Sequence, residues 1–129
     1  MKLLIAALLA VFSTGAMAEW TYLTSGEDNA YDVYIDKAAI RKRGNVAKMW
    51  DLTDFKAPQE AVGGSFLSSK LLKEYDCVEI RFRLLTLAHF SDNMGSGQVN
   101  ANHQYDDKDW RDIAPGSMGM RLLKAACKK

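Results

Sequence analysis

The arrangement of apolar and polar positions predicts strands through most of the chain and a helix at its end. Tyr31, Val33 and Ile35 alternate with Asp32, Tyr34 and Asp36, the two-residue period of a strand with one face buried. Arg41, Lys42, Arg43, Gly44 and Asn45 then read as a tight turn, because Gly and Asn tolerate the positive φ a hairpin needs. The return strand is expected from Val46 to Leu52, carrying Trp50. Ala57 and Pro58 through Gly63 and Gly64 are expected to form a loop, since the stretch is rich in breakers. Cys77 to Leu84 has the cleanest alternation, with Val78, Ile80, Phe82 and Leu84 on one face and Glu79, Arg81 and Arg83 on the other. It is expected to be a central or near-central strand. Ser65 to Asp76 fits both helical and strand spacing and is assigned as strand. Gly95 to Gly97 marks a turn before a short strand around residues 98–102. Ser117, after Pro115 and Gly116, is placed to cap a final helix whose apolar stripe is Met118, Leu122, Ala125 and Ala126. The predicted class is α+β: a single antiparallel sheet with a C-terminal helix packed on one face.

Composition changes this picture mainly at the N-terminus of the 129-residue chain. Lys2 precedes an unbroken apolar run from Leu3 to Phe12, and Ala16 and Ala18 supply small residues at the two positions a signal peptidase reads. Residues 1–18 are therefore expected to be a secretory signal peptide cleaved after Ala18, leaving residues 19–129 as one domain. The run is too short for a membrane span, which needs about 20 apolar residues, and the cleavage site offers no cysteine for a lipid anchor. The expected location is periplasmic or secreted. Beyond the leader, 16 basic residues balance 16 acidic ones, so strong attraction to nucleic acid or an anionic membrane is not expected.

The two cysteines, Cys77 and Cys127, permit one intramolecular pairing, and in an exported chain a disulfide is the expected state. A redox or nucleophilic thiol would ordinarily come with a Cys-x-x-Cys motif or a nearby His. The disulfide would pin the helix to the start of the best strand.

Catalysis needs a nucleophile with its base, paired acids or a metal cluster, and none is apparent; no catalytic residue, metal site or cofactor is assigned. His89 and His103 lie 14 positions apart with no ligand spacing around His89. Asp106, Asp107 and Asp109 after His103 lack the EF-hand pattern and read as a solvated acidic loop. Asp76, beside Cys77, is assigned a structural role at the strand start. At least two of Trp20, Trp50 and Trp110 are expected in the core. The candidate binding residues are the basic turn Arg41, Lys42 and Arg43, able to hold a sulfated polysaccharide or an acidic segment, and the strand pair Arg81 and Arg83. With Glu79, these two would make a polar surface or, covered by a second copy, a homodimer interface.

Taken in order, these pieces resemble the surface-adhesin protein E-like family of small exported proteins of Gram-negative bacteria. The resemblance is carried by Tyr34-Ile35-Asp36 with the Arg41 to Gly44 turn, Trp50-Asp51, Ser68-Ser69-Lys70, Glu74-Tyr75-Asp76-Cys77, Arg81-Phe82-Arg83, Phe90-Ser91, Met94 to Gly97, Trp110, Pro115-Gly116-Ser117 and Cys127. It implies an antiparallel sheet with a flanking C-terminal helix, export, and attachment to host extracellular-matrix proteins. The family's namesake is a surface lipoprotein, and this leader lacks the lipidation cysteine. The expected function is thus an exported, non-enzymatic binding protein whose partner is a host matrix or envelope protein. The alternative is a soluble periplasmic accessory protein that binds a small ligand or an envelope partner.

Overall fold

The computed structural model of the chain describes residues 19–106 and 109–128, so the expected signal peptide lies outside the described residues. Eight strands form one antiparallel sheet: β1 (Thr21–Gly26), β2 (Tyr31–Ile35), β3 (Arg41–Arg43), β4 (Val46–Ala61), β5 (Gly64–Asp76), β6 (Arg81–Phe90), β7 (Val99–Gln104) and β8 (Arg111–Asp112). Along the sheet the order is β1-β2-β4-β5-β6-β7, while β3 pairs with the start of β4 and β8 with the start of β6. One helix, α1 (Met118–Cys127), closes the chain. The Ser117 hydroxyl accepts from the Met120 amide at 3.2 Å, the N-cap expected of it.

The helix covers one face of the sheet. Val33 and Ile35 from β2, Ala47 and Met49 from β4 and Tyr75 from β5 meet Leu122, Leu123 and Ala126 in a single buried cluster with Ile40 and Ile113. These strand residues share a face because Ala47 pairs with Tyr75 and Ile35 with Asp51, and side chains alternate along each strand. The Cys77–Cys127 disulfide, with Cα atoms 5.8 Å apart, ties the last helical residue to the chain leaving β5.

Four expectations need correction. Residues 77–80 are a turn between β5 and β6, and β6 begins at Arg81 and runs on to Phe90. Asp76 makes this turn: its Oδ1 accepts from the amides of Val78 and Glu79 at 3.1 and 3.0 Å, leaving Val78 62% exposed. Ile80 sits at φ 52°, a left-handed conformation that carries the chain from the turn into β6. Glu79 therefore shares no strand face with Arg81 and Arg83. Second, Ala57 to Ala61 continues β4, with Pro58 inside an irregularity between Asp54 and Gln59 where the ladder does not require its missing N–H. Third, Arg41–Arg43 is a strand, and the turn shrinks to Gly44 and Asn45, with Gly44 at φ 59°. Last, Trp20, Trp50 and Trp110 are all half-buried and none belongs to the core. Strand β1 is an addition that alternation did not reveal.

Candidate functional site

The sheet register assembles Arg41, Arg43, Lys48, Arg81 and Arg83 on the face opposite the helix. Arg41 pairs with Lys48, Lys48 with Glu74 and Glu74 with Arg83, one row across four strands. The adjacent row runs Arg43, Val46, Asp76, Arg81 and Asp112. Directly opposed residues project to the same side, so two segments 40 positions apart in sequence, Arg41 and Arg81 among them, share one surface about 14 Å wide at ordinary strand spacing.

The two ends of these rows differ in how firmly they are held. Arg81 meets Asp76 at 3.1 Å and Arg83 meets Glu74 at 3.4 Å. The Trp110 ring lies over both guanidinium groups, at 4.9 and 4.3 Å from its centroid, a favourable cation–π arrangement. Backbone N–H bonds from Glu79 and Val78, with Arg81 beside it, hold the Asp76 carboxyl below the usual carboxylate range; the largest of these causes is the Glu79 amide. Arg81 and Arg83 are thus tied down. At the other end Arg41, Arg43 and Lys48 are exposed and border a cleft of about 620 Å³ lined also by Lys42, Val46 and Glu74. Arg41 reaches back to the carbonyls of Ala38 and Ile40, both at 3.1 Å. Lys42 alternates toward the helix side, where its ammonium donates to the Cys127 carbonyl at 3.3 Å, a favourable place for a cation at a helix C-terminus.

Beyond the charged rows, Trp50, Leu72 and Thr86 form a half-exposed row on the same face. The face ends where residues 91–97 fold over it: Ser68 Oγ accepts from the Gly95 amide and donates to the Asp92 carbonyl, and Asp54 Oδ1 accepts from the Met94 amide. This segment seals Leu52 and Ser68 from solvent. Nothing in the sequence pattern marks Lys48; Glu74 enters only through the family resemblance, and Trp110 enters through that resemblance and as a core candidate. A two-residue turn at Gly44 and Asn45 would have placed Lys48 opposite Arg41; nothing local brings Trp110 to Arg81 and Arg83.

The histidines do not form a reactive centre of a recognised type. His89 stacks on Phe66 with centroids 3.8 Å apart, and its Nδ1 is 2.7 Å from Ser69 Oγ. Burial, with His103 adding to it, lowers the His89 pKa. Ser69 is only 4% exposed and no carboxylate orients the imidazole in the hydrogen bonds described, so this pair reads as packing. Asp107 lies outside the described residues, among which no group of three or more His, Cys, Asp or Glu side chains is placed to hold a metal. No helix among them is long and apolar enough to cross a membrane.

Comparison with known proteins agrees with this architecture. A solved structure of Haemophilus influenzae protein E is similar to this chain with a TM-score of 0.57 at 11% identity, over 86% of this chain and 97% of the other. At that identity the likeness concerns the fold. A search of curated proteins gives no match. The sequence profile of surface-adhesin protein E matches residues 20–128, nearly the whole described chain. This chain belongs to the surface-adhesin protein E family.

Proposed function

We propose that the chain is exported after cleavage at Ala18 and acts as a non-enzymatic binding protein whose helix-free sheet face contacts another macromolecule, a host extracellular-matrix protein being the partner class the family suggests. The observation that carries this reading is the pair of charged rows. They place Arg41, Arg43 and Lys48 beside a cleft and in line with the clamped Arg81 and Arg83. Guanidinium groups on a rigid sheet lose little freedom when they engage carboxylates or sulfates, which favours recognition by fixed geometry. The near-neutral charge of the chain leaves little long-range steering, so contact depends on this local patch.

The test is binding of the purified, exported protein to immobilised matrix proteins, compared with R41E/R43E. Both side chains are exposed, so the fold should persist. Two rim cations worth up to about 1 kcal/mol each predict a loss of up to roughly thirtyfold. Equal binding by the variant removes this face from the interaction, and no saturable binding to any matrix protein removes adhesion. A periplasmic role as a small-ligand protein is the second reading, favoured by a cleft beside α1 on the other face, bordered by Leu23, Arg121, Lys124 and Lys128. Protection from protease added to whole cells would support it over adhesion.

A further inference from the structure

The charged rows do not stop at the margin of the sheet. Strand β3 pairs with β4 along one edge and with no strand along the other, so its cations stand where the two faces meet. Arg41 and Arg43 project with Lys48 to the helix-free side, and Lys42 alternates to the other, where its ammonium reaches the Cys127 carbonyl at 3.3 Å. That contact brings the end of α1 against β3. Ile40, the residue before β3, borders the cleft beside α1 together with Lys124 and Lys128, while Arg41, Lys42 and Arg43 border the cleft shared with Lys48. Six exposed cations, Arg41, Lys42, Arg43, Lys48, Lys124 and Lys128, thus form one band around a free strand edge.

The fold leaves this charge largely unneutralised. The linings of the two clefts contain one acidic side chain, Glu74, and it is already paired with Arg83 at 3.4 Å. Arg41 and Lys42 donate to neutral carbonyls, which leaves their charge in place. The helix C-terminus favours Lys42, Lys124 and Lys128, yet its negative end amounts to roughly half a unit charge against their three. In a chain of 17 basic and 16 acidic residues, the band is a local concentration of one sign. It is also free of apolar anchors. The large apolar side chains exposed among the described residues are Tyr22, Val62, Val78, Met94, Val99 and Tyr105, and none lines either cleft. A membrane surface would be met with inserted apolar groups, a protein partner with a buried aromatic or aliphatic anchor, and single-stranded nucleic acid with stacking aromatics. The chemistry that fits is a polyanion held by ionic contacts alone. It must also be a chain, because a compact anion reaches one cleft whereas the band turns from one face to the other.

Building on the adhesive reading of Arg41, Arg43 and Lys48, we propose that the band binds a sulfated polysaccharide of the glycosaminoglycan type, laid across the free edge of β3. Sulfates meet Arg41, Arg43 and Lys48 on one side of that edge and Lys42, Lys124 and Lys128 on the other, the guanidinium groups by paired N–H bonds and the ammonium groups as point charges. The experiment titrates the purified exported protein with a heparin octasaccharide, with the same octasaccharide desulfated, and with polyglutamate of matched charge, each over a range of salt. Saturable binding of the sulfated chain is expected, at least about tenfold tighter than either control. R43A/K48A and K124A/K128A, all four sites exposed, should each weaken it by up to roughly thirtyfold, the limit for two rim cations. Each should also flatten the dependence of log affinity on log salt by roughly 1.5, as expected when two counterion-releasing contacts to a polyanion are lost. Equal affinity for the desulfated chain, or no saturable binding, would overturn the proposal. Polyglutamate bound as tightly would assign the band to an acidic protein segment instead, and binding to anionic vesicles without the octasaccharide would assign it to a membrane. Indifference to K124A/K128A would overturn the passage around the edge. Matrix-protein binding that is lost in R41E/R43E but untouched by excess octasaccharide would leave the adhesive reading standing and remove this one; octasaccharide binding with no matrix-protein binding would do the reverse.

Discussion

Lys73→Met is the substitution through which the interior of this sheet reveals itself. Asp51 lies mid-strand on the helix side of β4, 1% exposed, and its Oδ2 stands 3.1 Å from the Lys73 ammonium. Burial pushes the Asp51 carboxyl above its ordinary value of 3.8, against the opposing pull of Lys73. Lys73→Met keeps most of the side-chain volume over the Phe82 ring, which the ammonium faces at 5.9 Å, and removes the only cation paired with Asp51 in the described structure. Breaking one partner of a buried pair costs about 3–5 kcal/mol, a large part of the roughly 5–15 kcal/mol expected for a whole domain. A group whose folded-state pKa is raised contributes its stability at low pH and loses it as pH rises through the carboxylate range. Without Lys73 that rise is larger, so the gap between variant and wild type should be widest near neutral pH and should narrow toward pH 5 in the variant's favour. Asp51→Leu with Lys73→Met should recover most of the loss, because neither desolvated charge remains. Urea denaturation followed by circular dichroism, disulfide intact, measures all three proteins at both pH values. A loss under about 0.5 kcal/mol at neutral pH, smaller than any broken buried pair, or an identical loss at both pH values, would refute the buried-charge account.

Further outcomes follow from the same structure. Cys77→Ser with Cys127→Ser opens a closure spanning 50 residues, for which chain entropy gives a loss of about 4 kcal/mol; an unchanged urea midpoint would show that the staple acts on neither state. Tyr75→Phe should be neutral or stabilising by up to about 1 kcal/mol, since the Tyr75 hydroxyl is buried without a hydrogen-bond partner among the described residues; clear destabilisation would reveal a partner such as bound water. Asp76, with its carboxyl lowered from 3.8, contributes stability above that value and loses it as pH falls through its lower folded value, the opposite sign to Asp51. Asp76→Asn should therefore flatten acid unfolding, and an unaltered acid limb in thermal melts would contradict the turn's dependence on this carboxylate.

Much of the architecture is local enough to read along the chain. The alternation at Tyr31 to Ile35, the turn residues at Gly44 and Asn45, the Ser117 cap and the pairing of two cysteines each depend on neighbours within a few positions or on simple elimination. The same alternation misled at Cys77 to Leu84. A side-chain period records which residues are apolar, whereas the turn at 77–80 is imposed by the Asp76 carboxylate taking two backbone N–H bonds. Pro58 also misled, because the consequence of a missing N–H depends on whether the ladder uses that position, which only the strand register decides.

The candidate sites show the same division. That Arg41, Arg43, Arg81 and Arg83 are cationic and flank polar turns is a property of the residues themselves. That Arg41 and Arg83 fall in one row, Arg43 and Arg81 in the next, and Lys42 on the other side depends on three strand pairings and the alternation within them. The burial of Val33, Ile35 and Ile40 is also a product of packing, since it exists because α1 settles over the sheet and brings Leu122, Leu123 and Ala126 onto them. Local composition determined the strands, the cap, the staple and the kinds of charge available. Tertiary structure alone decided which charges meet and which apolar surface is covered, because both follow from long-range register and from where one helix comes to rest.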